Sequence, residues 1–224
     1  MTSAKDEILK RVRAALNDVP AGETAADVTV ARDYRRVGEL PAAEAVALFA
    51  ENCADYRANV RCVDAGELPA AIGAALTAYG ARTLAIPADL PHAWRVDGVE
   101  WVEDGALSHD ALSAVDGVVT GCAVAIAQNG TIVLDGGPAQ GRRALTLLPD
   151  YHLCVVAAEQ VVELVAEGIE RLHDAARAGR PMTMIAGPSA TSDIELNRVE
   201  GVHGPRTLDV LVVGQAAAAA WAAS

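Results

Sequence analysis

The sequence predicts an α/β fold built on a largely parallel sheet. Two observations carry that expectation. Short apolar runs alternate along the chain with amphipathic stretches of helical period, the pattern of strands joined by crossover helices. Leu208 and the run Val210 to Val213 are apolar at nearly every position, which marks a strand covered on both faces. The length, 224 residues, suits one domain with a short extension.

Each element has its own local reason. Ser3 and Asp6 form a start close to a capping box, and Ile8, Leu9, Val12 and Leu16 recur at helical spacing. Asn17, Asp18 and Pro20 stop this helix, which either closes over the body or reaches a partner. Residues 17–40 are polar, carry Gly22 and Gly38, and read as a linker. Pro41 suits a first helical turn, so residues 42–56 read as helix. Val60 to Val63 is a short strand, and residues 69–79 form a helix that Gly80 ends. Strands follow at 83–86 and 99–102. Ser108 caps a short helix ending near Val115, before a strand at 118–120. Asn129-Gly130 between two apolar runs predicts a hairpin. A strand at 153–156 leads into a long helix from about Glu159 to Ala178, and the last strands are at 182–186 and 208–213. The chain thus divides into a helix and linker (1–44), an α/β domain (45–214) and an Ala-rich tail (215–224).

Charge and composition narrow the function classes. Asp and Glu number 30 against 18 Lys and Arg, a net charge of −12. Nucleic acids and anionic membranes are therefore poor partners, because binding them needs basic clusters. Aromatics are 4%, too few for a base-stacking platform. The four cysteines, Cys53, Cys62, Cys122 and Cys154, form no C-x-x-C pair and read as reduced thiols, not disulfides or ligands of an iron–sulfur cluster. The first ten residues lack the apolar core of a signal peptide, and Val210 to Ala223 is too short to span a bilayer, so the expected location is cytoplasmic.

Several nucleotide and metal motifs are absent. No two glycines are separated by one residue, which removes the dinucleotide fingerprint. Gly136 and Gly141 have P-loop spacing, but Arg142 and Arg143 stand where Lys and Ser/Thr are required. Neither H-E-x-x-H nor G-x-S-x-G occurs, and no metal is expected.

Two regions carry the candidate chemistry. The first runs from Gly121 to Tyr151. Gly130, Gly136 and Gly137 let backbone N–H groups approach a ligand, and Arg142 and Arg143 supply guanidinium forks for a carboxylate or phosphate. The second runs from Ala186 to Arg206. Ser189, Thr191, Ser192 and Asp193 crowd the expected start of a helix, where hydroxyls and free N–H groups bind anions. Gly187 and Gly204 give this segment backbone freedom, and Arg206 adds a third cation. The region follows a strand, so the site is expected at the carboxyl ends of the parallel strands. His203 and Asp193 are the candidate proton-handling pair.

The segments AIAQNGTIVLDGG (125–137), GRRALTLLPDYH (141–152) and IAGPSATSDIELNRVEGVHGPRTLDVLVV (185–213) resemble the lactate utilization protein C family, or LUD domain. The resemblance implies a three-layer fold similar to the group of ribose-5-phosphate isomerase, glucosamine-6-phosphate deaminase and CoA-transferase. It also implies a part in oxidising L-lactate to pyruvate, in a complex with iron–sulfur oxidoreductase subunits, the clusters being held by those partners and no cofactor by this chain. A stand-alone enzyme or sensor of a small carboxylate, sugar phosphate or acyl-CoA is the alternative. Two positions depart from the family pattern: Gln128 stands where a glutamate is common, and Ala190 where an arginine is common. Gln128 cannot serve as nucleophile or base, and the loss at Ala190 leaves Arg142, Arg198 or Arg206 to bind a carboxylate.

Overall fold

The computed structural model describes residues 3–20, 22–24, 26–191, 199–201 and 203–214. It contains two compact units, residues 1–34 and 35–224. In the first, helix α1 (Ala4–Ala15) begins with a complete capping box between Ser3 and Asp6. None of its residues is buried, and Ile8, Val12 and Leu16 of its apolar stripe are exposed.

The second unit is the α/β body. Its helices α2 (Ala42–Asp55), α3 (Leu68–Tyr79) and α4 (His109–Ala114) alternate with strands β1 (Asn59–Val63), β2 (Thr83–Ile86), β3 (Glu100–Glu103) and β4 (Gly117–Thr120). Gly80 ends α3 with φ +83°, and the Ser108 hydroxyl accepts from the Ala111 N–H at the start of α4. Strands β5 (Val124–Ile126) and β6 (Thr131–Leu134) form the hairpin expected at Asn129-Gly130. The chain continues through β7 (Tyr151–Ala157), β8 (Val161–Val162), α5 (Val165–Arg171), α6 (His173–Arg177), β9 (Thr183–Ile185), the short ribbon strands β10 (Ala190–Thr191) and β11 (Val199–Glu200), and β12 (Thr207–Val213).

Six strands pair in parallel in the order β1-β12-β7-β4-β2-β3. The α/β architecture expected from the alternation is the one observed. Side-chain alternation gives the sheet two faces. On one face Cys154, Val156, Val210 and Val212 pack with α2 residues Val46 and Phe49 and with Ile132 and Leu134 of the hairpin. On the other face Leu153, Val155 and Leu211 pack with Ile72 and Leu76 of α3. β12 is thus covered on both sides, as its unbroken apolar run required.

A second sheet, in the order β8-β5-β6-β9, lies on the α2 face. It holds the first main difference from the sequence expectation. β9 pairs antiparallel with β6 and is not part of the parallel sheet. The second difference is the helix expected over 159–178. Val161 and Val162 instead form β8, paired parallel with β5, and the helix begins only at Val165. Two β-branched residues favour the extended form. Glu163 reinforces the break by accepting hydrogen bonds from the backbone of Glu39 and Leu40 and pairing with Arg35. α5 and α6 are short, and Gly168 allows α5 to approach Ile126, whose side chain would lie 2.7 Å from any added Cβ. No helix among the described residues is long and apolar enough to cross a membrane. The Ala-rich tail lies outside the described residues.

Candidate functional site

Two adjoining cavities, of about 210 and 290 Å³, share Arg143, Thr146 and Thr183 as wall. The smaller is lined by the second residues of β7 and β12, His152 and Leu208, by the residues following β9, and by His203 to Pro205. It therefore sits at the amino-terminal ends of β7 and β12, not at the carboxyl ends where the region was expected. The strand preceding Ala186 belongs to the second sheet, where it runs antiparallel to β6, so the expectation drawn from the strand ends of the parallel sheet does not apply to it. The carboxyl ends of β4, β7 and β12 border a separate cavity of about 260 Å³, lined by Cys122, Gln160 and Val213 among others.

The glycine-rich loop forms one wall of the larger cavity, and its polar groups are tied to each other. The Gly137 N–H donates to Asp135 at 2.9 Å, and the Asp135 N–H donates to the Gln140 side chain at 2.7 Å. Arg180 pairs with the buried Asp135 at 2.9 Å. Gly136 has φ +68°, a left-handed conformation that glycine adopts without strain. Any Cβ on Gly137 would lie 2.7 Å from Asp135 Oδ1. Gly130 lies elsewhere. It closes the β5–β6 turn with φ +60° and sits against the backbone of Asn52 and Cys53.

The adjacent arginines part company. Arg142 makes a two-point ion pair with Asp104, at 2.8 and 3.0 Å, and also donates to the Leu107 carbonyl. That pairing holds the Asp104 carboxyl below its ordinary range. Arg142 thereby anchors its loop to the segment after β3. Arg143 turns into the cleft. It donates to Thr146 Oγ1 at 3.3 Å and to the His203 carbonyl at 3.2 Å, both neutral acceptors. Among the described residues it has no carboxylate partner.

Ser189 and His203 come together through the backbone. The His203 N–H donates to Ser189 Oγ at 2.9 Å, and the Ser189 N–H donates to the Pro205 carbonyl at 2.8 Å. The His203 side chain is exposed. Gly187 and Gly204 line the smaller cavity, and Gly187 packs so closely on Tyr56 that a Cβ would lie 2.4 Å from its carbonyl oxygen. Arg206 pairs with Asp150 at 3.3 Å and is not a lining residue. Ser192, Asp193 and Arg198 lie outside the described residues, and Thr191 is placed only as backbone in the β10–β11 ribbon.

The residue that sequence reasoning passed over is His152. It is 1% exposed in a strand otherwise apolar from Leu153 to Val156. Its Nε2 lies 2.7 Å from the Thr120 hydroxyl, while Nδ1 has no hydrogen-bond partner among the described residues. Burial, helped by the nearby Arg143 charge, pushes its pKa down from 6.5 to about 4, so the ring is neutral at pH 7. The available signal was a histidine directly before the apolar run Leu153 to Val156, a polar group that burial with that run penalises.

Gln128 has a structural task. Its side-chain oxygen accepts from the Val165 N–H at the start of α5, at 3.2 Å. The cysteines are free; Cys53, Cys122 and Cys154 are buried and Cys62 is half-buried. Burial raises the Cys53 thiol pKa to about 12. Among the described residues no three His, Cys, Asp or Glu side chains are grouped to hold a metal ion.

Comparison with known proteins places this arrangement in a family. Residues 42–213 match the LUD domain. The chain is 51% identical over 176 residues to "Lactate utilization protein C" of Deinococcus radiodurans, covering 78% of this chain and 82% of that protein. It is 28% identical over 206 residues to the protein of the same name from Halalkalibacterium halodurans, covering 86% and 89% of the two chains. The crystal structure of a DUF162 family protein from Deinococcus radiodurans superposes with a TM-score of 0.69 at 43% identity, over 79% of this chain and all of the other. With its parallel six-strand sheet and a match covering nearly the whole α/β body, the chain belongs to the LUD domain family.

Proposed function

We propose that this protein is a non-iron–sulfur component of a cytoplasmic lactate-utilization system, and that it takes part in oxidising L-lactate to pyruvate beside iron–sulfur partner subunits. The observation that carries the reading is the 51% identity to a protein named lactate utilization protein C, over most of both chains.

Two features of the molecule support it. The cleft offers Arg143, a cation with no carboxylate partner among the described residues, to a small anionic ligand. Ser189, Gly187 and Gly204 line the same cavity. The cysteines fit a chain that leaves electron transfer to others. They are free thiols and form no C-x-x-C pair, the close spacing that cluster sites usually show.

The test is genetic and biochemical. Deleting the gene is expected to abolish growth on L-lactate, and the tagged protein is expected to co-purify with cysteine-rich iron–sulfur proteins. A deletion strain that oxidises lactate normally overturns the proposal.

A further inference from the structure

We infer that the larger cavity, walled by the glycine-rich loop, is a phosphoryl-binding site in which Arg143, Arg180 and the Gln140 side-chain amide hold the phosphoryl group of a small phosphate monoester. The inference goes beyond the proposed role and does not rest on it, since neither lactate nor pyruvate carries a phosphoryl group.

Charge at the wall is the first support. Among the described residues this cavity is lined by three arginines and one carboxylate, in a chain whose net charge is −12. Arg142 is spent on Asp104, which lies outside the wall. Asp135, the lining carboxylate, is already neutralised: Oδ1 accepts from the Gly137 N–H and Oδ2 pairs with Arg180. Arg143 is left as a cation bonded only to the Thr146 hydroxyl and the His203 carbonyl. Burial lowers its pKa, and no carboxylate offsets that loss. A guanidinium partly withdrawn from water without an anion is costly, and a bound anion relieves the cost.

The free donors are the second support. Arg180 pairs with Asp135 through Nη2, at 2.9 Å, and its side chain stays 42% exposed, so donors of its five-N–H fork remain for a ligand. Gln140 is 2% exposed, and its Oε1 accepts from the Asp135 N–H at 2.7 Å, which fixes the orientation of the amide. Its Nε2 has no acceptor among the described residues, and the side chain lines the cavity. Unlike His152 Nδ1, this nitrogen is not closed off from solvent. A buried amide nitrogen without an acceptor is rare. Gln140 Nε2 and Arg180 Nη1 stand on the same side of the loop, each 3.2 Å from the position a Cβ on Gly137 would take.

Shape and size select the ligand. A carboxylate is satisfied by a single guanidinium fork. A phosphoryl group carries three terminal oxygens and more than one negative charge, and it uses donors from separate segments. Here Gln140 lies in the loop, Arg143 follows it, and Arg180 precedes β9. The volume, about 290 Å³, leaves room beyond the phosphoryl group, and Leu134 and Pro181 offer apolar wall to a short carbon chain.

The experiment is calorimetric titration of the purified full chain, at matched ionic strength, with glycerol 3-phosphate, inorganic phosphate, malonate and glycerol. Malonate carries comparable charge on planar carboxylates, and glycerol is the carbon chain without the phosphoryl group. Glycerol 3-phosphate is expected to bind about tenfold or more tighter than malonate, because each charge-assisted hydrogen bond left unmade weakens binding by about that factor. Inorganic phosphate is expected to bind more weakly than the ester, and glycerol not at all. Arg143→Gln and Arg180→Lys are each expected to weaken both phosphates about tenfold. Arg180→Lys keeps a cation beside Asp135 while removing the planar fork.

Equal binding of malonate and glycerol 3-phosphate overturns the inference. So does tighter binding of the free ion than of the ester, binding that survives both substitutions, or no binding of either phosphate. Should one variant fail to fold, the wild-type panel and the other variant still decide. Failure of this site is distinguishable from failure of the proposed role. A chain that is needed for lactate growth and co-purifies with its partners, but binds no phosphate, loses only this inference. A selective phosphoryl binder that is dispensable for lactate growth loses only the role.

Discussion

Acidification probes the surroundings of His152 through stability. The ring is fully buried, and burial with the Arg143 charge lowers its pKa from 6.5 to about 4. In the unfolded chain the imidazole gains a proton near its ordinary value; in the fold it stays neutral until far lower pH. The unfolded state therefore binds more protons between the two values, so stability is full above the upper one and falls as pH drops through the window. From about pH 7.5 to about pH 5 the difference integrates to about 2 kcal/mol, since each pKa unit is worth 1.36 kcal/mol. In urea this lowers the midpoint by roughly 1 M. Asp104, Asp116 and Glu163, whose pKa values are lowered in the fold, lose their contributions mainly below this window. The assay is urea denaturation at both pH values for the wild type and for His152→Gln. The variant lacks the titrating ring and is expected to be flat across the window. A wild-type midpoint that does not move, or a drop that survives His152→Gln, refutes the reasoning.

Three further outcomes follow from particular contacts. Arg142→Ala removes the two-point pair with the largely buried Asp104, so thermal stability should fall at neutral pH, and the gap to the wild type should close on acidification as Asp104 takes up its proton, while carboxylate binding in titrations is retained; loss of binding with unchanged melting would reverse the assignment of the two arginines. Gly130→Ala places a Cβ 2.6 Å from the Cys53 nitrogen at φ +60°, and chemical denaturation should show a loss of about 2 kcal/mol or more from the left-handed strain and the displaced backbone. Glu163→Ala removes the acceptor for Arg35 and for the Glu39 and Leu40 N–H groups, so trypsin should cut after Arg35 faster than in the wild type, as followed by mass spectrometry. An unchanged cleavage rate would mean that other contacts hold the segment.

Much of the body was legible because its signals are local. Gly80 needed a left-handed end to α3, and Asn129-Gly130 turned the hairpin; both depend on the φ preferences of single residues. The α2 positions Ala45, Val46, Phe49 and Cys53 bury one stripe because helical period alone puts them on one side. The break at Val161 was not legible, since it depends on pairing with β5, more than thirty residues earlier in sequence. The site was legible as two regions but not as one geometry. Arg142 and Arg143 are neighbours of the same type, and nothing local separates an anchoring guanidinium from one facing a cleft. The partner Asp104, 38 residues away, makes that distinction.

By itself the sequence determined the α/β class, most strand and helix positions, the acidic exterior, and the resemblance to the LUD domain, because periodicity, turn chemistry and long motifs are written in consecutive residues. Tertiary structure alone decided that β9 joins the second sheet, that the cleft opens at the amino-terminal ends of β7 and β12, and that His152 is buried with one nitrogen unpaired among the described residues. These are outcomes of pairing between distant segments, where the satisfaction of each polar group depends on which neighbours the whole fold brings to it.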